Sequence, residues 1–101
     1  MAGDSFKEFI LDQLQALGGV NCRAMFGGHG LYHESVFFGI VFKGRVYFKT
    51  NAKTRTEYLQ YGMKPFRPGS RQTLKNYYEV PIDVIEDEEQ LALWARTAVG
   101  V

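Results

Sequence analysis

A chain of 101 residues, 46% hydrophobic and 15% aromatic with a formal charge of +1, is long enough for one cored domain and too apolar to stay disordered. Its single cysteine, Cys22, excludes an internal disulfide, and its longest apolar run, Val36 to Phe42, falls far short of the ~20 residues that a membrane-spanning helix needs. Met1 to Ser5 has neither a basic n-region nor an apolar segment of the secretory kind, so a single domain, 1–101, is expected in the cytoplasm and away from membranes.

Ser5 and Glu8 fit a capping box, and Phe6, Phe9, Ile10, Leu14 and Leu17 follow at helical offsets. The spacing predicts a helix over residues 5–17, stopped by Gly18-Gly19. Val20 to Phe26 and Gly30 to Tyr32 read as short strands flanking a glycine corner, Gly27-Gly28-His29-Gly30. Consecutive amides there could form an anion nest, but a phosphate loop runs from a strand into a helix and here a strand follows. The corner is therefore read as a sharp strand connection that needs positive φ angles.

Val36 to Phe42 is a third strand, rich in β-branched and aromatic residues. Lys43-Gly44 then turns the chain into Arg45-Val46-Tyr47-Phe48-Lys49, with Val46 and Phe48 expected inward and Arg45, Tyr47 and Lys49 expected toward water. Asn51 caps a second helix over residues 52–61, ended by Gly62, with a weak stripe of Tyr58, Leu59 and Tyr61. From Met63 to Asn76 the prolines Pro65 and Pro68 and the glycine Gly69 break any period. A loop of that length is a functional segment, a disordered one, or elements that the pattern hides. Tyr77-Tyr78-Glu79-Val80 is a last short strand stopped by Pro81. Asp87 with Gln90 caps a closing helix whose stripe is Leu91, Trp94, Ala95 and Ala98, and Glu86 to Glu89 sit at its positive end.

This order (α-β-β-β-β-α-β-α) predicts an α+β domain with an antiparallel sheet of about five strands packed with helices. A sheet face left uncovered, showing Tyr47 and neighbouring aromatics, would be a natural homodimer surface.

The charges are segregated. Between Lys43 and Lys75 nine basic residues stand against Glu57 alone, a local charge of +8, whereas the chain from Glu79 onward carries −5. Such asymmetry speaks to partners. The basic residues are interleaved with Tyr47, Tyr58, Tyr61 and Phe66, a mixture suited to phosphates and bases. Against that stands an isoelectric point near 7.9, below that of a dedicated nucleic-acid binder. The plainer reading is a solvated rim partly paired with the acidic closing helix.

Four stretches carry a resemblance: Arg23-Ala24-Met25-Phe26-Gly27-Gly28-His29-Gly30-Leu31-Tyr32, Phe38-Gly39-Ile40-Val41, Val46-Tyr47-Phe48-Lys49 and Tyr77-Tyr78-Glu79-Val80-Pro81. Together they resemble the N-terminal domain of the TfoX/Sxy family, over nearly the whole chain from Phe6 to Ala98. The resemblance implies a small α+β fold similar to that of secretion chaperones, self-association, no catalytic residue and no cofactor. It also implies a part in bacterial competence, where full-length relatives act as transcriptional co-activators alongside a cyclic-AMP receptor protein and carry a second, helical domain. Glu34-Ser35 departs from the Asp-Gly turn usual in that family, and Ser35 tolerates such a turn less well.

His29, His33 and Cys22 are the candidates for metal or nucleophilic chemistry, but the histidines are four apart across a strand and Cys22 has no adjacent base. No metal site and no catalytic residue is expected. The leading reading is a non-enzymatic interaction domain that forms a homodimer and binds an unidentified protein partner, regulating transcription indirectly. Direct nucleic-acid binding through residues 43–75 is the alternative, and an unrecognised enzyme ranks last. Arg23, Phe26, His29, Tyr47, Lys49, Arg55 and Arg67 are the expected interaction residues, acting by contact and not by chemistry.

Overall fold

A computed structural model describes residues 2–25, 27–69 and 71–101, with side chains from Ser5 onward. In chain order the elements are α1 (Ala2–Gln13), β1 (Val20–Met25), β2 (Gly28–His33), β3 (Val36–Phe42), β4 (Arg45–Lys49), α2 (Arg55–Gln60), β5 (Pro65–Gly69), β6 (Gln72–Glu79), α3 (Ile82–Ile85) and α4 (Glu88–Val99). The strands form one antiparallel sheet in the order β1-β2-β3-β4-β6-β5. The fold is α+β as the pattern predicts, with six strands in place of about five.

The helices pack on one face of the sheet. The helix expected over 5–17 runs over 2–13, and its core side is Phe6 and Ile10, continued by Leu14 and Leu17 in the turns that follow, whereas Phe9, expected in that stripe, is 43% exposed. Residues 6, 10, 14 and 17 follow one another at steps of four and three along a single line, and position 9 lies to its side. Gln13 Nε2 donates to the carbonyl of Ile85 at 2.8 Å and ties α1 to α3. The carboxylate of Asp87 accepts from the amides of Glu89 and Gln90, so the cap expected for α4 is formed. Leu91, Trp94, Ala95 and Ala98 then meet Phe38, Val46 and Phe48 of the sheet in one core. Asn51 also caps, through the amides of Lys53 and Thr54, one turn ahead of the regular α2.

Two features of the strands explain why their apolar pattern does not simply alternate. Between β2 and β3 the register steps from Leu31↔Gly39 to Tyr32↔Phe37, so Phe38 is an extra residue, a β-bulge. The bulge puts Phe38 in the helix-side core and leaves Phe37 and Ile40 on the other face. At the glycine corner only Gly27 takes a positive φ, 80°. Gly28 and Gly30 lie within β2 and serve close approach instead. A methyl group on Gly28 would run into the carbonyl oxygen of Val41, and one on Gly30 would meet the Phe37 ring at 3.0 Å.

The largest departure from the sequence pattern is the stretch 63–76, which is a hairpin and not a loop. Its register jumps from Pro65↔Tyr78 to Phe66↔Leu74, leaving three residues of β6 without counterparts in β5 and bending that strand. The bend carries Phe66 and Leu74 onto the second face of the sheet, where they pack with Ile40 and Tyr47. Phe66 is wholly buried, and Tyr47, expected to face water, is 8% exposed. The alternation of β4 is right, but its outward side is roofed by the chain's own hairpin, so Tyr47 is not part of an open aromatic face.

Glu34 and Ser35, with φ angles of 47° and 75°, turn β2 into β3 through two left-handed residues that are not glycine. Ser35→Gly removes a Cβ penalty of about 1 kcal/mol, partly offset by glycine's greater freedom when unfolded. A rise in melting temperature of a few degrees is expected in a thermal scan. An unchanged or lower value would contradict the strained turn.

Candidate functional site

Arg23 stands exposed on β1, its guanidinium carbon 5.2 Å from the centroid of the Tyr32 ring. Tyr32 in turn contacts Phe37 at 5.2 Å, and Phe37 contacts Tyr77 at 5.4 Å, so a row of half-buried rings crosses the part of the second face that the hairpin leaves open. Beside it, next to β1, lies a cleft of about 330 Å³ lined by Asn21, Arg23, Tyr32, Glu34 and Ser35. In the sequence Tyr32 and Tyr77 read as strand residues 45 positions apart, with no pattern that joins them into a row. The turn at Glu34-Ser35 supplies the signal, because a two-residue hairpin sets Tyr32 against Phe37.

The other expected interaction residues are scattered. Phe26 lies outside the described residues. His29, half-buried, pairs with Ala24 and Val41 and shares a sheet face with Leu31, the helix side. Cys22 also packs against the helix-side core, opposite Leu31, and among the described residues no group of three His, Cys, Asp or Glu side chains is placed to hold a metal ion. Tyr47 is buried, as above. Lys49 borders a cavity of about 20 Å³ with Glu57, Tyr58 and Trp94, room for about one water molecule.

Arg55 is a clamp. Its Nε donates to Thr50 Oγ1 at 3.3 Å, a terminal nitrogen donates to Asn76 Oδ1 at 3.1 Å, and the guanidinium lies 5.4 Å from the Tyr78 ring. These contacts join α2 to β6. Arg67 is exposed on β5, at the edge of the sheet opposite Arg23. Arg23, Arg55 and Arg67 thus occupy three separate places.

Electrostatics are set by the same packing. Within the basic stretch Arg45 makes an ion pair with Glu79 at 3.2 Å, and among the described residues no cation of 43–75 is paired with an acid of α4. Burial pushes the phenol of Tyr47 up from its ordinary range, helped by the Glu79 carboxylate and opposed by Arg45. Burial, then Tyr32, raises Tyr77. Tyr58, wedged 4.7 Å from Trp94, is raised furthest, by burial first and then by Glu57.

Comparison with known proteins fixes the family. The sequence model of the TfoX N-terminal domain matches residues 12–101. The chain belongs to the TfoX N-terminal domain family. A relative described as DNA transformation protein TfoX1, from Aliivibrio fischeri, is 30% identical over 76 residues, which are 73% of this chain and 36% of the relative. The chain therefore spans about a third of that relative's length. Among the described residues of this TfoX domain no helix is long and apolar enough to cross a membrane.

The buried Tyr58 makes the stability of the TfoX domain alkali-sensitive. Its pKa is raised in the folded state, so its contribution is intact below the unfolded value of about 10 and is lost as pH climbs beyond it. Between pH 10 and 12, urea unfolding of Tyr58→Phe should lose stability with pH more gently than wild type, by up to about 1.4 kcal/mol per pH unit. Parallel pH profiles would contradict this.

Proposed function

We propose that this TfoX domain is a non-enzymatic interaction module that works in the cytoplasm, self-associates and docks a protein partner in competence-linked control of transcription. The family and the relative's name, a DNA transformation protein, supply the setting. The observation that carries the reading is a separation of charge that, among the described residues, only the Arg45–Glu79 pair bridges. Lys53, Lys64, Arg67, Arg71 and Lys75 have no ion-pair partner among the described residues, and the acids at the start of α4 are likewise not drawn onto them. A domain that leaves opposite fields unneutralised presents a surface that steers and selects a complementary protein.

Arg67, Arg71 and Lys75 lie on the β5–β6 hairpin and are exposed, so the hairpin that seals the second face also displays cations at its outer edge. Reversing those three to Glu leaves Phe66 and the core untouched. Crosslinking in the organism's own cells, followed by mass spectrometry, should recover a protein with wild-type chain and at least tenfold less of it with the reversed variant. Transformation frequency should fall in parallel. Recovery unaffected by reversal would overturn the reading, and a nuclease-sensitive product in place of a protein would favour direct nucleic-acid binding.

A further inference from the structure

The sheet has two edges, β1 and β5, and they differ. β5 reads Pro-Phe-Arg-Pro-Gly, with two residues that lack an amide hydrogen and two breaks in register against β6. Such an edge is guarded against further pairing. β1 reads Val-Asn-Cys-Arg-Ala-Met and runs in unbroken register with β2 from Val20↔His33 to Met25↔Gly28. It has no proline and no bulge, carries Arg23 as its single charged residue, and exposes Asn21, Arg23 and Ala24. Six residues of regular edge, guarded by one charge that a partner's carboxylate can meet, are a template for another strand.

We propose that a second copy of this chain occupies that edge, β1 joining β1 antiparallel about a two-fold axis to make one continuous sheet. The proposal rests on the self-association stated above and names its surface. An axis perpendicular to the sheet keeps each face on its own side, so one residue of β1 must lie opposite itself. Centring on Cys22 or on Arg23 pairs five residues of each copy, more than any other centre. Centring on Arg23 sets two guanidinium groups directly against each other, which is unfavourable. Centring on Cys22 sets Arg23 against the partner's Asn21. Asn21 lines the cleft that also carries Glu34, held beside it by the bond from the Glu34 amide to the Gly19 carbonyl at 3.3 Å. Each copy's arginine then enters the mouth of the other's cleft, toward a carboxylate, and the two-fold axis repeats the pair.

Sedimentation equilibrium of the 101-residue chain, with hydrogen–deuterium exchange at high and low protein concentration, tests this. A dimer is expected in which the amides of β1 exchange more slowly at high concentration and those of β5 do not change. Arg23→Glu should weaken dimerisation at least tenfold, and adding Glu34→Arg should restore it, a rescue that a merely misfolded variant would not give. A dimer whose β1 amides exchange alike at every concentration overturns this interface while leaving self-association in place. A chain that stays monomeric at the highest concentration overturns both.

Discussion

The ring of Phe66 lies 4.7 Å from that of Tyr47 and 5.2 Å from that of Phe42, and its side chain is wholly buried. Burying a phenylalanine contributes on the order of 1.5–3 kcal/mol, and each aromatic pair adds about 0.5–1.5 kcal/mol. The ion pair between Arg45 and Glu79, exposed on its arginine side, is worth about 0–1 kcal/mol. Apolar packing and not charge therefore holds the β5–β6 hairpin across the sheet. Once it is there, both faces of the sheet are covered for much of their extent, by helices on one side and by the chain's own strands on the other.

This arrangement decides where contacts with other molecules can be made. A face such as Tyr47 would have offered is internal, and a half-buried row runs across the second face from Arg23 on β1 through Tyr32 and Phe37 to Tyr77 on β6. Other accessible features among the described residues are the regular strand β1, the cations of the hairpin, the acids of α4 and the exposed apolar side chains Leu59, Tyr61, Ile82 and Leu93 on the helices and the turn after α2. On the reading proposed above, a TfoX domain built in this way would meet partners through backbone edges and charge. The glycines of the corner belong to the same economy of space, since Gly28 and Gly30 let β1, β2 and β3 lie close enough for the aromatic row to form.

Much of this was legible in the residues. The stripe of α1, the cap and stripe of α4, the strands β3 and β4 and the turn between them all follow from periodicity and turn chemistry, because local preference and tertiary packing agree there. The family too was readable from the motif around Met25 to Tyr32. The segment 63–76 was not. Its prolines and its bulge remove the alternation that marks a strand, and a single buried Phe66 carries no period to detect. Without the hairpin, Tyr47 looks solvent-facing and five strands look sufficient. Arg55 was read as a contact residue because sequence shows its charge but not Thr50, Asn76 and Tyr78 converging on it.

The roof over the second face is the contact on which the rest of the arrangement depends. A nuclear Overhauser spectrum of the isotopically labelled chain reads it directly. Cross-peaks from the Phe66 ring protons to the rings of both Tyr47 and Phe42 are the predicted result, and a Phe66 ring that shows contact with neither would contradict it.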